Sequence, residues 1–203
     1  MGGKAIEKIL TGFYIIYIMK EKSAIMIPGI VMPVWLERVE AAADDVYLTD
    51  EKKLRLALDL AFQNVQNSTG GPFGAALFDA ENHLVAAGVN LVVPSCQSWA
   101  HAEMTALARA QYKLGKLHLD DCTLASSCEP CAMCMGAIPW SGVSALIYGA
   151  SGIEAEKIGF DEGAKPADWR AAYEKRGIRV NGPLLTGSDD ALRIYGEKRG
   201  TLY

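Results

Sequence analysis

Two short runs constrain this chain more than anything else in its 203 residues. They are His101-Ala102-Glu103 and Cys128-Glu129-Pro130-Cys131-Ala132-Met133-Cys134. Each stands at the predicted start of a helix. Two cysteines three apart lie on one side of a helical turn, so both sulfurs reach one ion. The positive end of a helix lowers the pKa of a thiol placed there and holds it as thiolate. One His nitrogen from the other run supplies a third ligand. Any fold for this chain therefore has to bring two helix starts, distant in sequence, to one point.

The chemistry follows from the count. Three protein ligands, His101, Cys131 and Cys134, leave the fourth tetrahedral position of a zinc ion to water, the mark of a catalytic site. The metal lowers the pKa of that water toward about 7. Glu103 stands two residues past His101 and need not be a ligand. It is placed to take the proton of the water and deliver it to a ring nitrogen and a leaving amine. H-x-E followed by P-C-x-x-C, with a glutamate outside the metal sphere, is the signature of zinc deaminases. Taken singly, each run says little. Cys-x-x-Cys alone fits a redox pair or half of a structural zinc site. A structural site needs a fourth protein ligand, and Cys128 is the one nearby spare thiol.

Composition narrows the setting. Half of the residues are apolar and 22% are charged, as in a soluble domain with a sizeable core. A formal net charge of −4 argues against a protein that lives on nucleic-acid phosphate. Five cysteines, three of them bunched, make a poor disulfide framework and fit a reducing, cytoplasmic compartment. The apolar run Ile9 to Met19 falls short of the roughly 20 residues a bilayer span needs. Glu7 and Lys20-Glu21-Lys22 fit a signal peptide poorly. Residues 1–31 are expected to be an N-terminal extension, with Met26 and Met32 offering later starts, and residues 32–203 the working domain.

Along that domain the pattern alternates. A helix is predicted from Glu51 to Asn67, capped by Asp50, with Leu54, Leu56, Leu58, Ala61, Phe62 and Val65 on one face. Strands are predicted over Gly74–Asp79 and His83–Val93, joined by a hairpin turn. Then come a helix His101–Leu114 stopped by Gly115, a strand Cys122–Ser126, and a helix from Pro130 to Trp140. A strand Ser144–Ala150, a helix Pro166–Lys175, a strand Ile178–Val180 and a helix Asp189–Lys198 complete the chain. This alternation predicts an α/β sandwich with helices on both faces of the sheet.

The run from Gly71 to Tyr148 resembles the cytidine and deoxycytidylate deaminase superfamily. Within it, His101-Ala102-Glu103 and Glu129-Pro130-Cys131-Ala132-Met133-Cys134-Met135-Gly136-Ala137 look most like the nucleobase and tRNA adenosine deaminase branch. The resemblance implies a three-layer α/β/α sandwich around a five-stranded mixed sheet, a zinc cofactor and a homodimer or larger oligomer. Trp140-Ser141-Gly142-Val143 followed by Ile158-Gly159-Phe160-Asp161-Glu162-Gly163 looks like the bacterial guanine deaminases. That likeness covers about Val34 to Tyr203 and implies hydrolysis of guanine to xanthine and ammonia, a small-molecule nucleobase substrate in purine metabolism. It also implies a second catalytic acid at Glu162. Asn90 matches an amide that bonds the base edge, Phe73 a pocket aromatic and Trp140 a pocket wall. The backbone N–H groups of Ala102 and Cys131 match donors to the substrate or the metal-bound oxygen. Tyr203 matches a residue of a C-terminal segment that closes over the site.

Each of these has a plainer reading: Asn90 as a strand-end turn residue, Phe73 as core, Trp140 as helix-end packing, Tyr203 as a frayed end. Rival functions are a deaminase of cytosine, a nucleoside, an aminated pterin or triazine, or tRNA adenosine. A zinc-stabilised binding module and a Cys-x-x-Cys redox protein are the rivals from other classes. His83 and His118 are expected at the surface, Cys96 and Cys122 as packing cysteines, and Cys128 as a buried thiol.

Overall fold

A computed structural model of the chain describes residues 30–43, 46–184 and 188–203. Pro33–Tyr203 is one compact unit. The expected extension over residues 1–31 lies outside the described residues except for its last two.

The unit opens with helices α1 (Val34–Ala41) and α2 (Asp50–Gln66). The cap of α2 is Thr49, whose Oγ1 accepts the Lys52 N–H at 3.2 Å, one residue before the expected Asp50. Asp50 is engaged elsewhere: its carboxylate accepts from Arg179 at 2.6 Å and from Asn181 at 2.9 Å. The buried face of α2 is Leu54, Ala57, Leu60, Ala61 and Val65, together with Asn64, whereas Phe62 is 40% exposed.

Strands β1 (Gly74–Phe78) and β2 (Leu84–Val89) form the expected hairpin, closed by the Asp79 N–H donating to the His83 carbonyl. β2 stops four residues before the predicted end. The Asn90 side-chain oxygen Oδ1 accepts the Val92 N–H, a local bond that turns the chain, and Pro94 has no N–H to offer a ladder. The residues beyond form the short helix α3 (Val92–Ser95). It ends on Cys96, which is exposed in a left-handed conformation at φ 54° and is not the packing cysteine expected.

Then follow α4 (Ala102–Leu114), β3 (Thr123–Cys128), α5 (Ala132–Ser141), β4 (Ala145–Ala150), α6 (Gly152–Lys157), α7 (Trp169–Glu174), β5 (Arg179–Asn181) and α8 (Asp190–Glu197). The sheet has five strands in the order β2-β1-β3-β4-β5. β1 is antiparallel to both neighbours, while β3, β4 and β5 run parallel. Strand alternation separates the two helical layers. Ala75, Leu77, Leu146 and Tyr148 face α4, α5 and α7 in one apolar cluster, while Gly74, one residue before Ala75, lies against Ala57 and Ala61 of α2. The result is the three-layer α/β/α sandwich with a mixed five-stranded sheet.

The free edge of β2 is covered by a charge. Glu40 of α1 accepts the Ala87 N–H at 2.6 Å and pairs with Arg109 at 2.7 Å and Lys113 at 2.5 Å. The Arg109 side chain is only 5% exposed and also donates to the Ala87 carbonyl. Removing one partner of such a pair leaves an uncompensated buried charge. Glu40→Ala is therefore expected to destabilise the domain by about 3 kcal/mol, read as a lower urea unfolding midpoint, with zinc content unchanged. An unaltered midpoint would show that water replaces the carboxylate.

Candidate active site

His101 and Cys131 occupy equivalent places: each is the half-in residue just before the first turn of its helix, α4 and α5 respectively. α4 follows the β2 strand and its turn, and α5 follows the end of β3, so both helix starts arrive at one end of the sheet. The Cys131 carbonyl accepts the Met135 N–H at 2.8 Å, which fixes the first turn and puts Cys134 on the same side. The ligand atoms of His101, Cys131 and Cys134 all lie within 4.8 Å of one another. The Cys131 sulfur is 3.4 Å from His101 Nδ1.

These groups suit zinc. A hydrogen bond from the Cys134 thiol pulls the Cys131 thiol down to about 4 against its burial, with His101 adding to the pull, so a thiolate stands ready. Imidazole and thiolate are the donors zinc prefers. Among the described residues no fourth His, Cys, Asp or Glu joins the cluster. Cys128 is turned away, its thiol directed at the Ser151 carbonyl at 3.5 Å, and burial pushes it well up as a neutral thiol. The set therefore fits an open, catalytic coordination better than a closed, structural one.

Glu103 lies in the first turn of α4 and is 6% exposed. Its Oε1 accepts from the Ser126 hydroxyl of β3 at 3.2 Å, and its Oε2 stands 3.5 Å from the Cys134 sulfur. Burial pushes its carboxyl up, and the Cys131 thiolate adds to this. A carboxyl raised toward the working pH both takes and returns a proton.

The pocket around this centre is lined by Phe73, His101, Glu103, Cys131, Glu162 and Tyr203, with Cys128, Glu129, Phe160 and Asp161 completing it. Of the acidic pair after α6, Asp161 is exposed and caps the Gly163 N–H, whereas Glu162 is buried. The Glu162 carbonyl accepts the Ala132 N–H at 2.9 Å, which ties this loop to the first residue of α5. Burial pushes the Glu162 carboxyl up to about 7, with Lys165 opposing. Ala102 is the first residue of α4, where a backbone N–H has no intrahelical partner.

Asn90 and Tyr203 meet at Gly71. A Cβ on Gly71 would stand 2.6 Å from the Tyr203 hydroxyl and 2.9 Å from Asn90 Oδ1, so only glycine leaves both in place. The Asn90 amide nitrogen and the Tyr203 hydroxyl are buried without a well-formed hydrogen bond. Burial pushes the Tyr203 phenol far up, against the Asn90 amide beside it. Tyr203 lines the pocket, whereas Asn90 is fully buried outside its lining, beside Tyr203 at Gly71. The tail that carries Tyr203 packs in the same chain: Tyr203 is edge-on to Phe160 at 5.2 Å, and Phe160 in turn is edge-on to Phe73 at 4.9 Å.

Trp140 is not part of this arrangement. It is 74% exposed, lies outside the pocket lining, and carries the Arg176 guanidinium over its ring at 5.6 Å. At the eighth place after Ala132 it has rotated to the outer face of α5, which its neighbours in sequence do not reveal.

Sequence reasoning missed four contributors. Phe160 forms the pocket wall, and Ser126 holds Glu103. Lys165 bridges two carboxylates. Asn64, fully buried, donates to the carbonyls of Gly71 and Asn90 at 2.8 and 2.9 Å and so sets the loop on which Asn90 depends. Phe160 had a signal in its place beside Asp161-Glu162, but the others are common residue types with no local pattern.

Residues 48–150 match the cytidine and deoxycytidylate deaminase zinc-binding region. The guanine deaminase of Bacillus subtilis is 43% identical over 115 residues, covering 57% of this chain and 73% of that protein. A guanine deaminase from Nitrosomonas europaea superposes with a TM-score of 0.77 at 38% identity, covering 87% of this chain and 98% of that one. A protein solved in complex with 2,6-diaminopurine superposes with a TM-score of 0.78 at 40% identity, covering 86% and 95%. Replacing Cys131 or Cys134 by Ser is expected to abolish retention of zinc, measured by atomic emission on dialysed protein. Cys128→Ser is expected to keep one zinc per chain, and loss of metal there would make Cys128 a ligand.

Proposed function

The chain belongs to the cytidine and deoxycytidylate deaminase zinc-binding family, and from that premise we propose that it deaminates guanine: guanine and water give xanthine and ammonia. One observation carries the reading. Two buried carboxyls, Glu103 and Glu162, line the same pocket as the His101, Cys131 and Cys134 cluster, at a distance in sequence that only this fold closes. The guanine deaminase from Nitrosomonas europaea and the protein that holds 2,6-diaminopurine share the fold over nearly their whole lengths.

Zinc held by His101, Cys131 and Cys134 lowers the pKa of water and so supplies a nucleophile at neutral pH. Glu103 receives the first proton of the attacking water and passes it to N3 of guanine as the C2–O bond forms, then takes the proton left on the C2 hydroxyl and delivers it to the amine, which departs as ammonia as the C2–N bond breaks. Ser126 keeps its carboxylate aimed at the centre. Glu162 accepts from the N1–H side of the base and assists the loss of ammonia. The Asn90 amide, which both donates and accepts, takes the base edge, and the free Tyr203 hydroxyl offers a second partner. Phe73 and Phe160 wall the flat ring, and the backbone N–H of Ala102 points from the α4 start. The tail that ends at Tyr203 keeps bulk water from the reacting base.

We read the working form as a cytoplasmic homodimer acting in purine metabolism. Five free thiols support a reducing compartment. Among the described residues no helix is long and apolar enough to cross a membrane. Met133 and Trp140, two turns apart on α5, are 38% and 74% exposed, an apolar face suited to self-association.

The test is ammonia release by zinc-loaded protein offered guanine, guanosine, cytosine, cytidine and adenine separately. Turnover of guanine alone is expected. Release from another base in place of guanine would keep the chemistry and retire the substrate. Glu103→Gln is expected to cut kcat by roughly a hundred- to ten-thousand-fold with zinc still bound. An active Glu103→Gln enzyme would sink the proton path described above.

A further inference from the structure

None of the residues lining the pocket is a lysine or arginine, yet four carboxylates, Glu103, Glu129, Asp161 and Glu162, line it together with Cys131. The cation stands just behind them. The Lys165 ammonium lies 2.9 Å from Glu162 Oε2 and 3.2 Å from Glu129 Oε1. The three side chains are 16%, 6% and 18% exposed respectively, so the bridge is shielded from bulk solvent.

The backbone around this bridge is pinned on every side. The Glu129 N–H donates to the Ala150 carbonyl at 2.8 Å, and the Ala132 N–H donates to the Glu162 carbonyl at 2.9 Å. Room for the ammonium is made by Gly152, at the start of α6, where a Cβ would stand 2.4 Å from Lys165 Nζ. Three segments distant in sequence thus converge on one lysine head.

We propose that Lys165 is a positioning residue of the deamination site, which holds the Glu162 carboxylate toward the pocket by clamping it against Glu129. The inference rests on the reading of Glu162 as the second acid. The physical cause is simple. Two carboxylates this close repel unless a cation lies between them. An ammonium paired with both at once offsets that repulsion and keeps Glu162 where a substrate N–H would meet it. Lys165 does not itself line the pocket, so it acts through the carboxylates it holds.

The experiment is a double-mutant cycle on the full, zinc-loaded chain with guanine as substrate, using Lys165→Met, Glu162→Gln and the pair. Met keeps the length of the side chain and removes its charge. Lys165→Met is expected to lower kcat about tenfold, and to lower it no further once Glu162 is Gln. A crystal structure of Lys165→Met is expected to show the Glu162 carboxylate turned out of the pocket. Equal losses in both backgrounds, or a wild-type rate for Lys165→Met beside a slow Glu162→Gln, would overturn the role of Lys165 alone. A wild-type rate for Glu162→Gln would instead remove the second acid itself. The crystal readout stands apart from turnover: an unmoved carboxylate in Lys165→Met overturns the clamp whatever the substrate.

Discussion

Two helix N-termini converge at one end of the sheet, and the rest of the site hangs on that meeting. A helix start has unpaired N–H groups and a positive end, so it tolerates and favours negative charge. Here one start carries His101 and the other Cys131, with Cys134 in the first turn above it. Because β3 lies beside β1 and leads into α5, while β2 on the other side of β1 leads toward α4, the sheet order places the two starts together. A metal ion can then be shared by segments that no local contact would unite.

The same meeting point collects negative charge in a low-dielectric setting. Glu103, Glu162 and the Cys131 thiolate are each buried, and burial raises both carboxyls toward the range where protons move easily. A cluster of this kind needs compensation. A zinc ion held by His101, Cys131 and Cys134 would supply one part, the helix ends another, and the Lys165 bridge a third. Aromatic walls built from Phe73, Phe160 and Tyr203 keep the surroundings apolar, which strengthens each of these interactions. Away from the site, the Glu40 and Arg109 pair performs a plainer task, closing the sheet edge from which the β2 turn departs.

Some elements were legible in the chain because their signals are local. Gly115 follows α4 in a left-handed conformation at φ 63°, as a helix stop should. The hairpin of β1 and β2 and the alternation of strand and helix emerge from short periodic runs. Errors came where a side chain had two local uses. Asn90 ended β2 early by bonding the Val92 N–H. Asp50 left the cap of α2 to Thr49 because Arg179 and Asn181 claimed its carboxylate. Cys96 and Trp140 look like interior residues by type, yet both face outward, since residue type reports cost of exposure and not position.

What the sequence determined by itself is the chemistry at each helix start. His-x-Glu and Cys-x-x-Cys derive their meaning from the pitch of a single turn, a distance fixed by the backbone within a few residues. Only the tertiary structure decided which groups share that space. Strand order brought Glu162 beside Glu103, the tail carried Tyr203 to Asn90 at Gly71, and Lys165 entered the room left by Gly152. No periodicity encodes such meetings. They arise when distant apolar faces bury one another, and the polar groups borne on those faces are carried along with them.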